Sequence, residues 1–472
     1  MKGIKVFLMC TLFLLTLAGC GGTSNGTTES AANTQKENSS TTSNQNEGTS
    51  STTNTEDEKK FDLQGATIKI GQWWDGADPR DVPEEERSIG VEESIKKLEE
   101  VEAKYNAKIE YVTFADYGKY VENFTTTSLA GEPFADIVVL ELFWAFPQLA
   151  KKGFIAPLDD YLDLSDPKYN AWMKSGGSFN GKQYGFYDGV PSPYGFFYNK
   201  TMVEEMGLED PFELQQKGEW TWEKFRELAK KATKDTNGDG KIDVYGIAGA
   251  YGKVNYMGEQ FIYSNKGSVD RDESGEMKFS MDSKNSIEAL QFLSDLYNVD
   301  KSIMQPVPDD AAKEFVAGKG LMYGGFNWEM GGLMEKMPGK TLGYVFFPKA
   351  PQADDYMSFT PFGNMYMVSK YSKNAEAAAH ILDEISLFGR GEEIALQSLE
   401  EKMPTKDIFE TRKLMRQKID YSGGYYALPD SGKLFESVID AIIKDKASPA
   451  TAVEKVKPQF EASLNKLLQD SK

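Results

Sequence analysis

The run Asp235-Thr236-Asn237-Gly238-Asp239-Gly240-Lys241-Ile242-Asp243 places side-chain oxygens at loop positions 1, 3, 5 and 9, with Gly240 at position 6, where a chain wrapping a cation must turn sharply. A hard divalent cation takes about six to eight oxygens at about 2.3–2.6 Å. Asp235, Asn237, Asp239 and Asp243, with the Lys241 carbonyl at position 7, supply most of that shell, so a structural Ca²⁺ is expected here. Position 12 is Gly246 instead of the bidentate glutamate of an EF-hand, and a strand pattern follows where an EF-hand has its second helix. That departure describes a staple joining Ala232 to Val244 and not a calcium switch. The competing reading is a solvated Asp/Asn/Gly turn that holds no metal.

A second constellation is aromatic. Trp73 and Trp74 follow a strand-like run, Trp144 follows another, and Trp328 follows a third. In α/β sheets ligands collect outside the carboxyl ends of strands. A sugar ring presents C–H groups on its faces and hydroxyls round its rim, so its site needs flat aromatic surfaces flanked by carboxylates and amides. Asp75, Glu141, Asn327 and Glu329 supply that mixture beside the four indoles. A single tryptophan is more often a core residue than a platform; it is the shared position after strands that marks these four. Trp220 and Trp222 open an amphipathic helix and belong to the core, whereas Trp172 has no assigned place. Tyr425 and Tyr426, after Gly423-Gly424, sit in a loop suited to line the same cleft, and Tyr425 joins the candidate ligand contacts.

The 472 residues contain a single histidine, His380, so the HExxH zinc motif is absent and Ser-His or Cys-His catalysis has only one candidate base. His380 lies in an Ala-rich helical stretch with Glu384 as its nearest acidic neighbour on the same face, and it reads as structural. The formal charge of −20 disfavours nucleic acid and anionic lipid as electrostatic partners. With 73 acidic residues, carboxylate pairs suited to glycoside hydrolysis are everywhere and none is marked, so no enzyme is expected.

These residues need a scaffold, and the pattern supplies one. Ala66–Gly71 reads as a strand, and Val91, Ile95, Leu98, Val101 and Tyr105 then recur at helical spacing. Lys108–Val112 alternates, Tyr117–Leu129 is helical, and Asp136–Leu140 is the apolar run of a buried parallel strand. The alternation resumes after Phe196-Phe197-Tyr198. Thr221 caps a helix with Trp222, Phe225, Leu228, Ala229 and Ala232 on one face, and Val244–Ala248 follows as a strand. Later helices are expected over Asn285–Tyr297, from Asn374 through Ile385, and over Leu434–Asp445 and Ala452–Leu468, with a strand at Gly320–Tyr323. Two α/β lobes follow from this grammar.

Ahead of them, Lys2 and Lys5 precede an apolar stretch, Val6–Leu17, too short to span a bilayer, and small residues lead to Leu17-Ala18-Gly19-Cys20. Residues 1–19 read as an export signal, and Leu-Ala-Gly-Cys resembles the bacterial lipobox, with Cys20 as the lipidated residue. The other cysteine, Cys10, falls inside the signal, so a mature chain has no intramolecular disulfide and a formal charge of −22. Residues 20–60 form a polar tether: 34 of the 40 residues after Cys20 are Gly, Ser, Thr, Asn, Gln or Glu, which cannot seed a core. Such a chain reaches roughly 35 Å.

The chain resembles the extracellular solute-binding proteins of family 1, the maltose-binding-like sugar receptors of ABC importers. Asp136–Leu162 looks like their third strand, helix and Pro-Leu-Asp-Asp-Tyr turn, and Tyr184-Gly185-Phe186 through Tyr198-Asn199-Lys200 like the crossover between lobes. Glu219-Trp220-Thr221-Trp222 matches the Thr-Trp helix start, Phe315-Val316-Ala317-Gly318-Lys319 the Phe-x-x-Gly-Lys turn, and Ser369–Ile385 the helix after a Ser-Lys strand end. The resemblance implies a two-lobe periplasmic-binding-protein-like fold of type II, with lobe 1 over 61–193 and 346–388 and lobe 2 over 194–345 and 389–472. Crossings are expected near Val190–Phe196, Leu342–Phe347 and Leu387–Glu392. It also implies a calcium loop as in some members, a lipid-anchored monomer on the outer face of a bacterial membrane, and an ABC permease as partner. The cargo implied is a carbohydrate, an oligosaccharide by preference, with a peptide or polyamine as the alternative and a surface glycosidase behind both. The doublet Trp73-Trp74, where many members have a single aromatic, leaves open which ring faces the sugar.

Overall fold

Alternation of buried and exposed residues builds the first sheet. In β1 (Ala66–Gln72) Ile68 and Ile70 are fully buried while Lys69 between them is exposed. β1 runs parallel to β2 (Ala107–Thr113) and to β3 (Ile137–Glu141), every residue of which is buried. The computed structural model describes residues 61–470 apart from 115, 170–173, 175, 187–191, 273–275, 340, 387–393, 395, 398, 399 and 402. The signal, Cys20, the tether and Trp172 therefore lie outside the described residues.

A small hairpin, β4 (Ser178–Phe179) and β5 (Lys182–Gln183), precedes β6 (Gly185–Phe186). β12 (Asn364–Val368) returns antiparallel between β3 and β6, giving the order β2-β1-β3-β12-β6. One face packs Ile68, Ile70 and Ile137 against Leu98 and Val101 of the helix Ile89–Tyr105 and Ile381 and Leu382 of the helix Ala375–Ile385. The other packs Val138, Leu140, Met365 and Met367 against Tyr120 and Phe124 of the helix Tyr117–Leu129. His380 rests its ring 4.8 Å from that of Phe61.

The second sheet has the order β10-β7-β9-β8, with β7 (Tyr194–Asn199), β8 (Tyr245–Ala250), β9 (Gly320–Phe326) and β10 (Leu342–Val345). β8 and β9 are parallel, whereas β7 is antiparallel to both its neighbours. β7 and β9 are buried along their whole length, so neither side of this sheet's centre meets water. Thr221 caps the helix Trp222–Ala232 by accepting the Lys224 amide, and Trp222, Phe225, Leu228, Ala229 and Ala232 all face the core. The helices Ser431–Ile443 and Pro449–Asp470 complete this lobe.

The second crossing lies further along the chain than Leu342–Phe347. β10 is an edge strand of the second sheet, and Phe346 and Phe347, 0% and 2% exposed, continue in that lobe's core, with Phe347 4.5 Å from Phe196. Trp220 donates its Nε1 proton to the Phe346 carbonyl at 2.8 Å, and Lys349 exchanges backbone hydrogen bonds with Trp220 and Trp222. The stretch 346–357 thus belongs with lobe 2, and the chain leaves it through β11 (Ser358–Thr360) and Pro361–Gly363 into β12. β11 pairs in parallel with β13 (Ile419–Tyr421), reached after the helix Lys406–Gln417 that packs on β10. Of the expected crossing Val190–Phe196, residues 190 and 191 lie outside the described residues and Tyr194–Phe196 already belong to β7, while the crossing expected at Leu387–Glu392 lies outside them altogether.

Candidate functional site

The carboxyl ends of β1 and β3 carry the first aromatic wall. Trp73 meets Trp144 at 5.3 Å, Tyr120 at 5.3 Å and Tyr117 at 5.5 Å, all edge to face, the arrangement that ring quadrupoles favour. Trp74 touches Trp73 at 5.0 Å and lies on the outside of this group. The doublet thus divides: Trp73 is built into the wall and Trp74 forms its rim, with Asp75 exposed beside it. Asp116 caps the helix Tyr117–Leu129 by accepting the Lys119 amide, which fixes Tyr117 at the helix start, where its ring lies 4.7 Å from Trp144 and remains 40% exposed.

The second wall rises from the carboxyl ends of β8 and β9. Trp328 stacks on the fully buried Phe326 at 4.2 Å with only 8° between planes, so one indole face has a rigid backing while the residue stays 49% exposed. Tyr251 and Phe362 stand 5.8 Å from Trp328, and Tyr256 stands 5.6 Å from Phe362. The walls meet where Phe143 of lobe 1 lies 5.6 Å from Tyr426, which in turn lies 6.5 Å from Tyr256. Burial and then the nearby charge of Glu141 push the Tyr117 hydroxyl up, with Tyr256 and Tyr251 of the opposite wall adding to the effect.

The polar residues divide by what they face. Asn327 sits at the foot of Trp328 with its Oδ1 buried and without a partner among the described residues. Gln72, 1% exposed at the end of β1, is alike: its Nε2 donates to the Trp74 carbonyl at 3.2 Å while its Oε1 has no partner among the described residues. Glu141 is only 2% exposed; it accepts the Gly363 amide at 3.0 Å and, with the Asn364 amide nitrogen turned toward it, two bonds at 2.8 and 3.0 Å. Burial pushes its carboxyl up to about 8, the Gly363 bond opposing. Glu141 therefore clamps the second crossing at the base of the walls.

Two expected contacts are turned away from the space between the walls. Glu329 accepts the Tyr323 hydroxyl at 2.6 Å and the Phe326 amide at 2.9 Å, bracing the turn that presents Trp328. Tyr425 is fully buried and donates to Glu259 at 2.9 Å; its neighbour Tyr426 is the ring that reaches the walls. Tyr426 lies in the loop that the sequence assigns to the cleft, whereas Tyr117, Phe143, Tyr251, Tyr256 and Phe362 carry no such mark there. Tyr251 alone follows a strand directly, so the strand-end rule that marks the tryptophans also finds it.

In the acidic loop, Asp235 accepts the amides of Gly238 at 2.6 Å and Gly240 at 2.8 Å, and Asp239 accepts that of Lys241. Asn237 donates to Asp243 at 3.1 Å, so positions 3 and 9 already meet. The neck is tied by Lys234, which bridges Val244 in antiparallel fashion. Gly238 and Gly240 both have φ near +80°, a conformation that other residues rarely adopt. No three acidic, histidine or cysteine side chains converge on a metal position among the described residues. The donor types fit calcium, but the carboxylates are engaged by the loop's own amides.

Residues 90–383 match the model of the bacterial extracellular solute-binding protein family, which is most of the folded body. The chain belongs to that family. As a solute-binding protein it shares its fold with a cyclo/maltodextrin-binding protein solved with maltotetraose, at 16% identity, covering 85% of this chain and 97% of that one, with a TM-score of 0.64. An ABC substrate-binding protein from Listeria monocytogenes, solved in complex with cycloalternan, is 19% identical over 85% and 99% of the two chains, with a TM-score of 0.61. UgpB from Mycobacterium tuberculosis, in complex with glycerophosphocholine, is 14% identical over 85% and 99%, with a TM-score of 0.62. The solute-binding fold thus has two lobes here, and its members are receptors. A cavity of about 1080 Å³ in lobe 2, lined by Tyr263, Arg271, Phe279 and Lys457 among others, shares no residue with either aromatic wall.

Proposed function

We propose that this protein captures a carbohydrate, most simply an oligosaccharide, between the two aromatic walls and delivers it to the permease of an ABC importer. The observation that carries this reading is the pair of facing walls, Trp73, Trp144 and Tyr117 against Trp328, Phe362 and Tyr256, with unpaired acceptors on Asn327 and Gln72 at their feet. Stacked rings suit sugar faces and lone acceptors suit sugar hydroxyls. Contacts with both lobes exist together only in a closed state, so a guest shifts the hinge equilibrium by its differential affinity for that state.

An amine-bearing cargo is the alternative, since tryptophan faces also attract cations and one neighbour of the same fold was solved with glycerophosphocholine. Glu141 weighs against it: the side chain is 2% exposed and its oxygens are taken up by the Gly363 amide and the Asn364 amide nitrogen, which leaves no carboxylate free to pair with a cation. Thermal melts separate the two. A guest at about 100 times its Kd adds about 2.7 kcal/mol. Maltotetraose and other oligosaccharides are expected to raise the Tm, whereas spermidine and short peptides leave it unmoved. Stabilisation by the amines alone refutes the carbohydrate reading, and sugar release from a labelled oligosaccharide would indicate a glycosidase.

The acidic loop is proposed to bind Ca²⁺ through Asp235, Asn237, Asp239, the Lys241 carbonyl and Asp243, supplying a structural cross-link only. Melts in calcium are expected to exceed melts in EDTA, and Asp239→Ala to abolish the difference; equal wild-type melts refute the site. Cys20 is proposed to carry a diacylglyceryl anchor that holds the receptor at the outer face of the membrane as a monomer. Full-length chain expressed in a bacterium is then expected in the detergent phase, and its Cys20→Ser variant in the aqueous phase.

A further inference from the structure

The helix Asn255–Ser264 begins with Tyr256 in the second wall and, one turn on, buries Glu259 completely. A carboxylate taken wholly out of water must be satisfied by hydrogen bonds. Glu259 accepts from the hydroxyls of Ser422 at 2.9 Å, Tyr425 at 2.9 Å and Tyr426 at 3.1 Å. These three donors come from the segment that follows β13, the strand paired with the crossing strand β11. Tyr263, on the same helix, adds a bond from its hydroxyl to the Ser422 carbonyl at 3.0 Å. The Tyr426 ring, its hydroxyl fixed to lobe 2 in this way, lies 5.6 Å from Phe143 of lobe 1.

We infer that Glu259 is a positioning residue for closure: through the Tyr426 hydroxyl it fixes a ring that both lobes touch, and so sets how readily the lobes close on a guest it never contacts. This rests on the reading of the protein as a closing receptor, but not on the identity of the cargo. Ionised Glu259 accepts all three hydroxyls, whereas a protonated one must use an oxygen as a donor and release part of the grip. The groups facing it are Asp270, Tyr256, Tyr263, Tyr425, Tyr426 and Ser422, with Arg271 opposing the charge of Asp270. Burial pushes Glu259 up to about 7 and Asp270 up to about 6, and the hydroxyl bonds draw Glu259 back down. The grip is therefore tighter at pH 8 than at pH 6.

The test uses the full chain with Cys10→Ser and Cys20→Ser and spin labels at exposed Glu99 and Glu223, one on each lobe. In the ligand-free protein the interlobe distance distribution is expected to shift toward open between pH 8 and pH 6. Glu259→Gln is expected to be open at both pH values, and Tyr426→Phe, which keeps the ring and the fold, to be open at pH 8. With maltotetraose as probe, both variants bind about fivefold or more weakly at pH 8, and Glu259→Gln matches wild type at pH 6. Any pH dependence that survives in Glu259→Gln belongs to Asp270 or Glu141. Distance distributions of both variants that superimpose on wild type at both pH values overturn the inference. Loss of maltotetraose binding in wild type alone would instead count against the carbohydrate reading.

Discussion

Trp328→Ala is expected to weaken oligosaccharide binding by about 30-fold or more, the loss of at least about 2 kcal/mol that a tryptophan anchor in a desolvated contact typically carries. The same substitution should leave the fold almost untouched. Trp328 is 49% exposed, and its main intramolecular contact is the stack on Phe326, worth about 1 kcal/mol. A half-exposed indole backed on one face is a surface kept for something else to cover. Trp144 gives a less clean test because its ring contacts Trp73, Tyr117, Tyr120 and Phe143. Trp220→Ala marks the other extreme: this indole is fully buried with its Nε1 bonded to Phe346, and removing it should cost about 3–5 kcal/mol of stability. Titration calorimetry beside thermal melts separates the cases. If Trp328→Ala binds every tested guest as wild type does, the wall is not a ligand wall.

How much of this was legible follows from what each residue's signal depends on. The strand-end tryptophans were readable because an apolar run and the aromatic that ends it are adjacent in sequence. The helix Trp222–Ala232 was readable because its cap, Thr221, and its buried face are contiguous in the sequence. Tyr117 and Tyr256 start helices, and Phe362 rides on a crossing; what brings them together is topology, which no local pattern encodes. The second crossing was misplaced because β10 ends in Val345 and the apolar Phe346-Phe347 looks like an exit, whereas those rings complete the lobe 2 core. Glu141, Glu329 and Tyr425 had the right chemistry in the right neighbourhood. A carboxylate beside a tryptophan reads the same whether it faces a sugar or the amide of Gly363, and only burial separates the two.

Glu141→Gln is expected to stabilise the protein above pH 8 and to do little at pH 5. Glu141 is pushed from its ordinary 4.5 to about 8 because burial disfavours the charged form more than the Gly363 bond favours it. The sign follows from linkage: a group whose folded pKa is raised favours the fold fully below about 4.5, and that contribution is lost as pH climbs toward 8 and stays lost above. The two Asn364 bonds oppose burial as the Gly363 bond does, so the swing is on the order of 1–3 kcal/mol. A glutamine carries no proton to lose, its oxygen still accepts the Gly363 amide, and its nitrogen meets the Asn364 oxygen once that side chain turns over. Its melts should therefore stay level across the window in which wild type declines, apart from the weaker fall that Glu259 and Asp270, raised in the same direction, still impose. Denaturant midpoints of both proteins at pH 5, 7 and 9 decide it. A wild type that gains stability from pH 5 to pH 9, or a variant that loses more than wild type over that range, would mean the Glu141 carboxylate is ionised and solvated, and then the base of the two walls is open to water and not the dry floor on which a guest is held.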